Sequence, residues 1–147
     1  MPERDSGPGI SGDGNPSSES ARSPEAGAVD PGWIRRFFES PLGERMLNAR
    51  KIYREKEFLL WQPHDGETGS IIQGIIDCFF EEEDGLVLLD YKTDFVPEGD
   101  EEALKEKAEH YRRQIEIYRR AIGEALGGTV KESYLFFLSV GAAVRVG

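Results

Sequence analysis

Residues 84–92, Asp-Gly-Leu-Val-Leu-Leu-Asp-Tyr-Lys, constrain the fold more than any other stretch of this 147-residue chain. Asp84-Gly85 is a tight-reversal pair, and the aliphatic run after it predicts a strand from Leu86 to Lys92 that is almost wholly apolar until Asp90. A second strand is expected before the reversal, from Ile71 to about Glu82. Folding one strand back on the other brings Asp77 within about two residues of the position opposite Asp90, where cross-strand side chains lie roughly 5–8 Å apart. Alternation puts Asp90 and Lys92 on one face and Tyr91 on the other.

Two carboxylates that close can share a divalent cation. Mg²⁺ takes one or two carboxylates and completes its octahedron with water and a substrate phosphate, and Mn²⁺ suits the same donors. Such an ion polarises a phosphoryl oxygen and lowers the pKa of a bound water. Lys92 would add a positive charge toward the attacking water or the transition-state phosphate, and the Tyr91 carbonyl is a further oxygen donor. The chemistry implied is phosphodiester hydrolysis. An ordinary hairpin with an Asp near its end and a Lys for solubility fits the same spacing. Against that, Asp90 follows four aliphatics, and burying its charge is costly unless it is paired or metal-bound.

The rest of the chain frames this hairpin. Residues 1–30 are rich in Gly, Ser, Pro, Asp and Glu, with Ile10 and Val29 the only branched aliphatics, and read as a disordered tail or linker. Residues 31–147 form the domain. Trp33, Phe37, Phe38, Leu42, Met46 and Leu47 recur at helical spacing broken by Ser40-Pro41, which predicts two short helices. A strand follows from Tyr53 to Trp61. Leu104, Ala108, Tyr111, Ile115, Tyr118, Ile122 and Leu126 predict one long helix over 100–126, ended by Gly127-Gly128. Ser133 to Leu138 is a buried strand, and Ala142 to Val146 pairs with it or caps the edge. The expected fold class is α/β: the order α-β-β-β-α-β-β gives one mixed sheet with helices packed on it.

Twenty-eight acids against eighteen bases give a net charge of −10, unusual for a chain that binds phosphate backbones. Acids that exist to hold cations reverse the local sign, so the balance does not exclude such a site. The single cysteine, Cys78, excludes an internal disulfide or a four-cysteine metal site. No stretch is apolar enough for a secretory signal or a membrane span, and the expected location is the cytoplasm.

Gly74-Ile75-Ile76-Asp77, followed after the reversal by Asp90-Tyr91-Lys92-Thr93-Asp94, resembles the PD-(D/E)XK nuclease superfamily. More narrowly it resembles the C-terminal nuclease domain of AddA and RecB helicase–nucleases, AddA most. Arg54-Glu55 with Phe58, and Tyr111-x-x-Gln114-x-x-x-Tyr118, extend the match from about Trp33 to the C-terminus. The resemblance implies a restriction-endonuclease-like core in which Asp77 and Asp90 bind Mg²⁺ and Lys92 is catalytic. It places Gln114 and Tyr118 against the site, contacting nucleic acid or bracing the Lys-bearing strand. By spacing alone, Tyr118 is ordinary core and Gln114 a boundary residue. The implied activity is a Mg²⁺-dependent deoxyribonuclease (an exonuclease) for double-strand-break repair and recombination. Its implied partners are DNA, a helicase portion and an AddB-like subunit.

Other residues keep two readings. Arg112, Arg113, Arg119 and Arg120 either steer DNA or form a solvated face paired with Glu109, Glu116 and Glu124. Glu55 is either an outer carboxylate of the site or part of a strand-edge ion pair, and Cys78 is core filler. The sequence departs from the family in two ways. It has no Gly-x-x-x-x-Gly-Lys-Ser/Thr motif, and nothing before Trp33 matches the family's upstream Gly-x-x-x-His helix. The expectation is a domain fragment, split gene product or remnant, with the helicase portion on another chain or missing. The alternative function is a catalytically weak or inactive module that binds DNA or docks onto a helicase, and a third is a nuclease acting on RNA.

Overall fold

The structure, a computed structural model, describes residues 29–147. The expected tail, residues 1–30, lies outside the described residues except for its last two. Within the unit Pro31–Gly147 the elements run α1 (Pro31–Glu39), α2 (Pro41–Leu47), β1 (Lys51–Pro63), β2 (Gly69–Glu82), β3 (Gly85–Lys92), α3 (Glu101–His110), α4 (Arg112–Leu126), β4 (Val130–Phe137) and β5 (Ala142–Arg145). The five strands form one sheet in the order β1-β2-β3-β4-β5. Only the β3–β4 pair is parallel, so a crossover through α3 and α4 joins those two strands, as a parallel pair requires. The mixed α/β class matches the expectation.

The pair of short helices follows from Ser40-Pro41. The Ser40 hydroxyl oxygen accepts from the Gly43 amide at 3.1 Å, and Pro41 occupies the first helical position, where its missing N–H costs nothing. Gly43 is required by proximity, because a Cβ there would overlap the Phe37 carbonyl. Arg36 then ties α1 to the end of β4 by donating to the Leu138 and Ser139 carbonyls at 2.8 and 3.0 Å.

β3 is the spine. Leu86, Val87, Leu88, Leu89 and Asp90 are all buried. Leu86 and Leu88 pack toward α4 with Ile115, Tyr118, Ala121 and Ile122, together with Leu135 and Phe137 of β4. On the opposite face Phe37 packs edge-on against Tyr91 and Phe136, with ring centroids 5.2 and 4.9 Å apart. Each fully buried aromatic or aliphatic side chain here contributes on the order of 2–3 kcal/mol.

Two expectations are corrected. The reversal falls on Glu83-Asp84, one residue before the expected pair, because Gly85 already pairs with Glu82. The single helix over 100–126 is two helices, interrupted at Tyr111, whose φ of −100° and ψ of 5° leave the helical range. No glycine or proline marks the break. Its cause is tertiary, since the Tyr111 side chain is anchored on the loop that leaves β3. Gly127, at φ 72°, ends α4 as expected, and β5 pairs antiparallel with β4.

β1 and β2 outrun the rest of the sheet. β2 pairs with β3 only from Cys78 to Glu82, yet its pairing with β1 continues down to Pro63↔Gly69. The outrunning part is a two-stranded ribbon. One side, through Phe58, meets Tyr118 of α4; the other exposes Leu59, Trp61, Ile71 and Ile75, each more than half exposed.

Candidate functional site

The site forms where the β2–β3 ladder stops. The last pair on that side is Cys78↔Leu89, and one step further in the same register would set Asp77 opposite Asp90. In place of a ladder bond, the Tyr91 amide donates to Asp77 Oδ2 at 3.1 Å. The β1–β2 ladder skips one residue on each strand at the same level, between Arg54↔Cys78 and Lys56↔Ile76. Glu55, on the skipped step, has a φ of 49°. The alternation changes phase there: Tyr53 and Phe79 join the core above the skip, Phe58 and Ile76 below it. Such irregularities re-aim side chains and cluster beside functional sites. This one turns Asp77 toward the end of β3.

Asp90 is 3% exposed and shares its face of β3 with Lys92. The Lys92 ammonium lies 2.9 Å from Asp90 Oδ2, although that oxygen receives no aligned hydrogen bond. Burial, only partly offset by the Lys92 charge and reinforced by the Asp77 carboxylate, pushes the Asp90 carboxyl up to about 7. A buried carboxyl raised by a neighbouring carboxylate marks a candidate for cation binding or proton transfer.

Lys92 is held on three sides. Besides Asp90, its Nζ donates to Gln114 Oε1 at 2.9 Å and lies 3.9 Å from the centre of the Tyr111 ring. The Tyr111 hydroxyl donates to the Asp94 carboxylate, 2.8 and 3.0 Å from its two oxygens. Burial, then that bond to Asp94, raises the Tyr111 phenol to about 12.

The structure therefore brings Asp77, Asp90, Lys92 and Gln114 together, and Gln114 braces the lysine itself. Tyr91 points its ring to the other face, its hydroxyl 3.9 Å from Met46 Sδ. Tyr118 is core, packed edge-on against Phe58 at 5.7 Å. Its phenol is raised to about 12 by burial, then by the charges of Asp90 and Asp77. Cys78 is buried beside Met46, at 3.6 Å. Of the four arginines only Arg112 takes the ion-paired reading, and Arg119 and Arg120 reach strand residues that neither reading named. Arg112 pairs with Glu109, Arg119 donates to Ser133 Oγ and the Val130 carbonyl, and Arg120 donates to Gln62. His110 is exposed, and His64 lies in the β1–β2 turn against Ser70. Sequence reasoning gave Asp94 and Tyr111 no role. The signal was their place in the two motifs that carry the resemblance, two residues after Lys92 and three before Gln114.

Among the described residues no three His, Cys, Asp or Glu side chains converge as a metal cluster. Two carboxylates do, one of them with a buried oxygen lacking an aligned donor. That donor set fits a hard divalent cation whose remaining positions are filled by backbone oxygen, water or phosphate. It lacks the histidine and cysteine donors on which most zinc sites are built.

Fold and site together define a mixed α/β domain with two acids and a braced lysine at the end of its central strand. No protein-family model matches the chain. It is 40% identical over 133 residues to AddA, an ATP-dependent helicase/nuclease protein, of Ruminiclostridium cellulolyticum (83% of this chain, 10% of the relative). It is 47% identical over 118 residues to the protein of the same description from Clostridium perfringens strain SM101 (70% and 9%). The protein so described from Thermoanaerobacter sp. strain X514 is 47% identical over 113 residues (70% and 9%). The chain is thus homologous to one region of the AddA helicase/nuclease proteins and spans about a tenth of their length. Among solved structures, the crystal structure of SSO0001 shares the fold, with a TM-score of 0.56 and 16% identity over 89% of this chain and 55% of that one. No helix among the described residues is long and apolar enough to cross a membrane.

Proposed function

We propose that this chain is a Mg²⁺-dependent DNA nuclease domain of the PD-(D/E)XK kind, working in the cytoplasm with an AddA-type helicase and an AddB-like subunit in double-strand-break repair. The observation that carries the reading is Asp90: a buried carboxylate beside Asp77, with one oxygen lacking an aligned donor and Lys92 fixed next to it. Asp77, Asp90 and the Tyr91 carbonyl would hold the ion, which when bound supplies charge to a phosphoryl oxygen and acidifies water. Mn²⁺ would fit the same donors. Lys92 keeps a positive charge at the site and stabilises the negative charge that develops as the phosphodiester is cleaved. Gln114 holds the ammonium in place, so no reorganisation is needed during the reaction.

The test is cleavage of end-labelled single-stranded DNA by the purified chain in Mg²⁺, with a matched RNA strand alongside. Loss of DNA cleavage in Asp90→Ala supports the reading; equal cleavage by Asp90→Ala and the unaltered chain sinks it. Preference for the RNA strand would reassign the substrate. The exposed apolar side of the β1–β2 ribbon favours a second reading, a docking module on a helicase-bearing partner. Calorimetric Mn²⁺ binding that disappears in Asp77→Ala would count against it.

A further inference from the structure

We infer that Tyr111 and Asp94 form a positioning pair for the Lys92 ammonium, an inference that rests on the reading of Lys92 as the cation of a nuclease site. Three observations meet there. The Tyr111 ring lies 3.9 Å from Lys92 Nζ, well inside the range at which an aromatic face attracts a cation. Its hydroxyl is fixed by both oxygens of Asp94, two residues beyond Lys92 on the segment that leaves β3. The long helical stretch is interrupted at Tyr111 itself.

These observations explain one another. A lysine head on a four-carbon stem is mobile, and Asp90 and Gln114 approach Nζ as hydrogen-bonding or charged groups. The ring supplies an apolar floor with a negative face. Donation of the phenol proton toward a carboxylate enriches the ring in electron density and strengthens its pull on the ammonium. Asp94 is in turn steadied: Ser139 Oγ donates to its backbone carbonyl at 3.0 Å, and the Lys107 ammonium lies 3.7 Å from its carboxylate. If Tyr111 served only to fill space, an apolar residue in an unbroken helix would do as well. Tyr111 is a positioning residue, acting on substrate only through Lys92.

The experiment is proton–carbon NMR of the labelled full chain, with the Lys92 ε-methylene assigned by its disappearance in Lys92→Arg. An aromatic face this close displaces that resonance upfield. Tyr111→Leu is expected to abolish the displacement and to lower kcat for single-stranded DNA about tenfold with KM unchanged. Tyr111→Phe keeps the ring but not its anchor, so it should retain part of the displacement and part of kcat; this variant also decides the matter if Tyr111→Leu does not fold. A Lys92 resonance unchanged in Tyr111→Leu, or identical in Tyr111→Phe and the unaltered chain, overturns the pair. If the displacement behaves as described while the unaltered chain cuts no DNA, the nuclease reading fails and the pairing stands.

Discussion

Asp77 accepts the Tyr91 amide at 3.1 Å across the gap where β2 leaves β3, so this acid closes the backbone of the central strand as well as facing Asp90. The two roles separate in substitution. Asp77→Asn keeps an oxygen that accepts the amide, so its thermal midpoint should stay close to that of the unaltered chain while DNA cleavage is lost. Asp77→Ala loses both, leaving a partly buried amide unsatisfied at a cost of about 1–3 kcal/mol, readable by urea titration.

Asp90 is expected to trade stability for function. Its carboxylate is buried, crowded by Asp77 and has one oxygen without an aligned donor. A neutral isostere removes that strain, so Asp90→Asn should raise the melting temperature in chelator at pH 8 by about 2–4 °C while abolishing cleavage. A lower melting temperature would show that the Lys92 pairing outweighs the cost of burial.

Gln114→Ala removes one of the three contacts on Lys92 Nζ. Hydrogen bonds to charged groups are strong enough that kcat should fall roughly tenfold, with KM little changed because Gln114 acts on the lysine. Gln114→Glu restores an acceptor of the same length and should recover part of the loss. Steady-state kinetics on a short single strand distinguishes the two variants.

Acid sensitivity should arise elsewhere. The Arg45 guanidinium, hydrogen-bonded to Glu82 at 2.8 Å and assisted by Lys131, holds the Glu82 carboxyl down at about 2, against an ordinary value of 4.5. A depressed folded-state pKa gives stability that is complete above the unfolded value and is lost as pH falls through the folded one. The contribution of Glu82 should therefore fade between about pH 4.5 and 2, and Glu82→Gln should flatten the melting-temperature curve in that window. A curve of unchanged shape in Glu82→Gln would remove this pair from the acid response.

Gly43→Ala tests the α1–α2 corner. The added methyl would overlap the Phe37 carbonyl, and overpacking of this kind costs about 1–3 kcal/mol. Ser40→Ala, which removes the cap together with the hydroxyl's own donation to the Phe37 carbonyl, should cost about 1 kcal/mol. Denaturant midpoints of the two variants give the comparison.

The central hairpin was legible because its signals are local: turn residues near its tip, an aliphatic run and one polar alternation place Asp90 and Lys92 on the same face. Asp77 could be placed only to within a couple of residues, because the chain reverses at Glu83-Asp84, one residue before the pair the sequence marks, and each one-residue shift of the turn moves the partner of Asp90 by two. The break at Tyr111 was hidden for a different reason. Tyrosine suits a helix well enough, and the force that interrupts it comes from Asp94, seventeen residues away. The arginines of α4 looked like a basic face because their acceptors, Gln62 and the Val130 carbonyl, belong to strands that periodicity cannot bring beside a helix.

The parting of β2 from β3 makes the candidate centre a matter of counting. One acid belongs to the spine and cannot move without unmaking the core; the other rides on a strand already peeling away, and its aim is fixed by how many residues lie between it and the reversal. Insert or delete one residue between Asp77 and Asp84, and side-chain parity along that edge reverses. Asp77 would then turn its back on Asp90, with every residue of the pair still present in the chain.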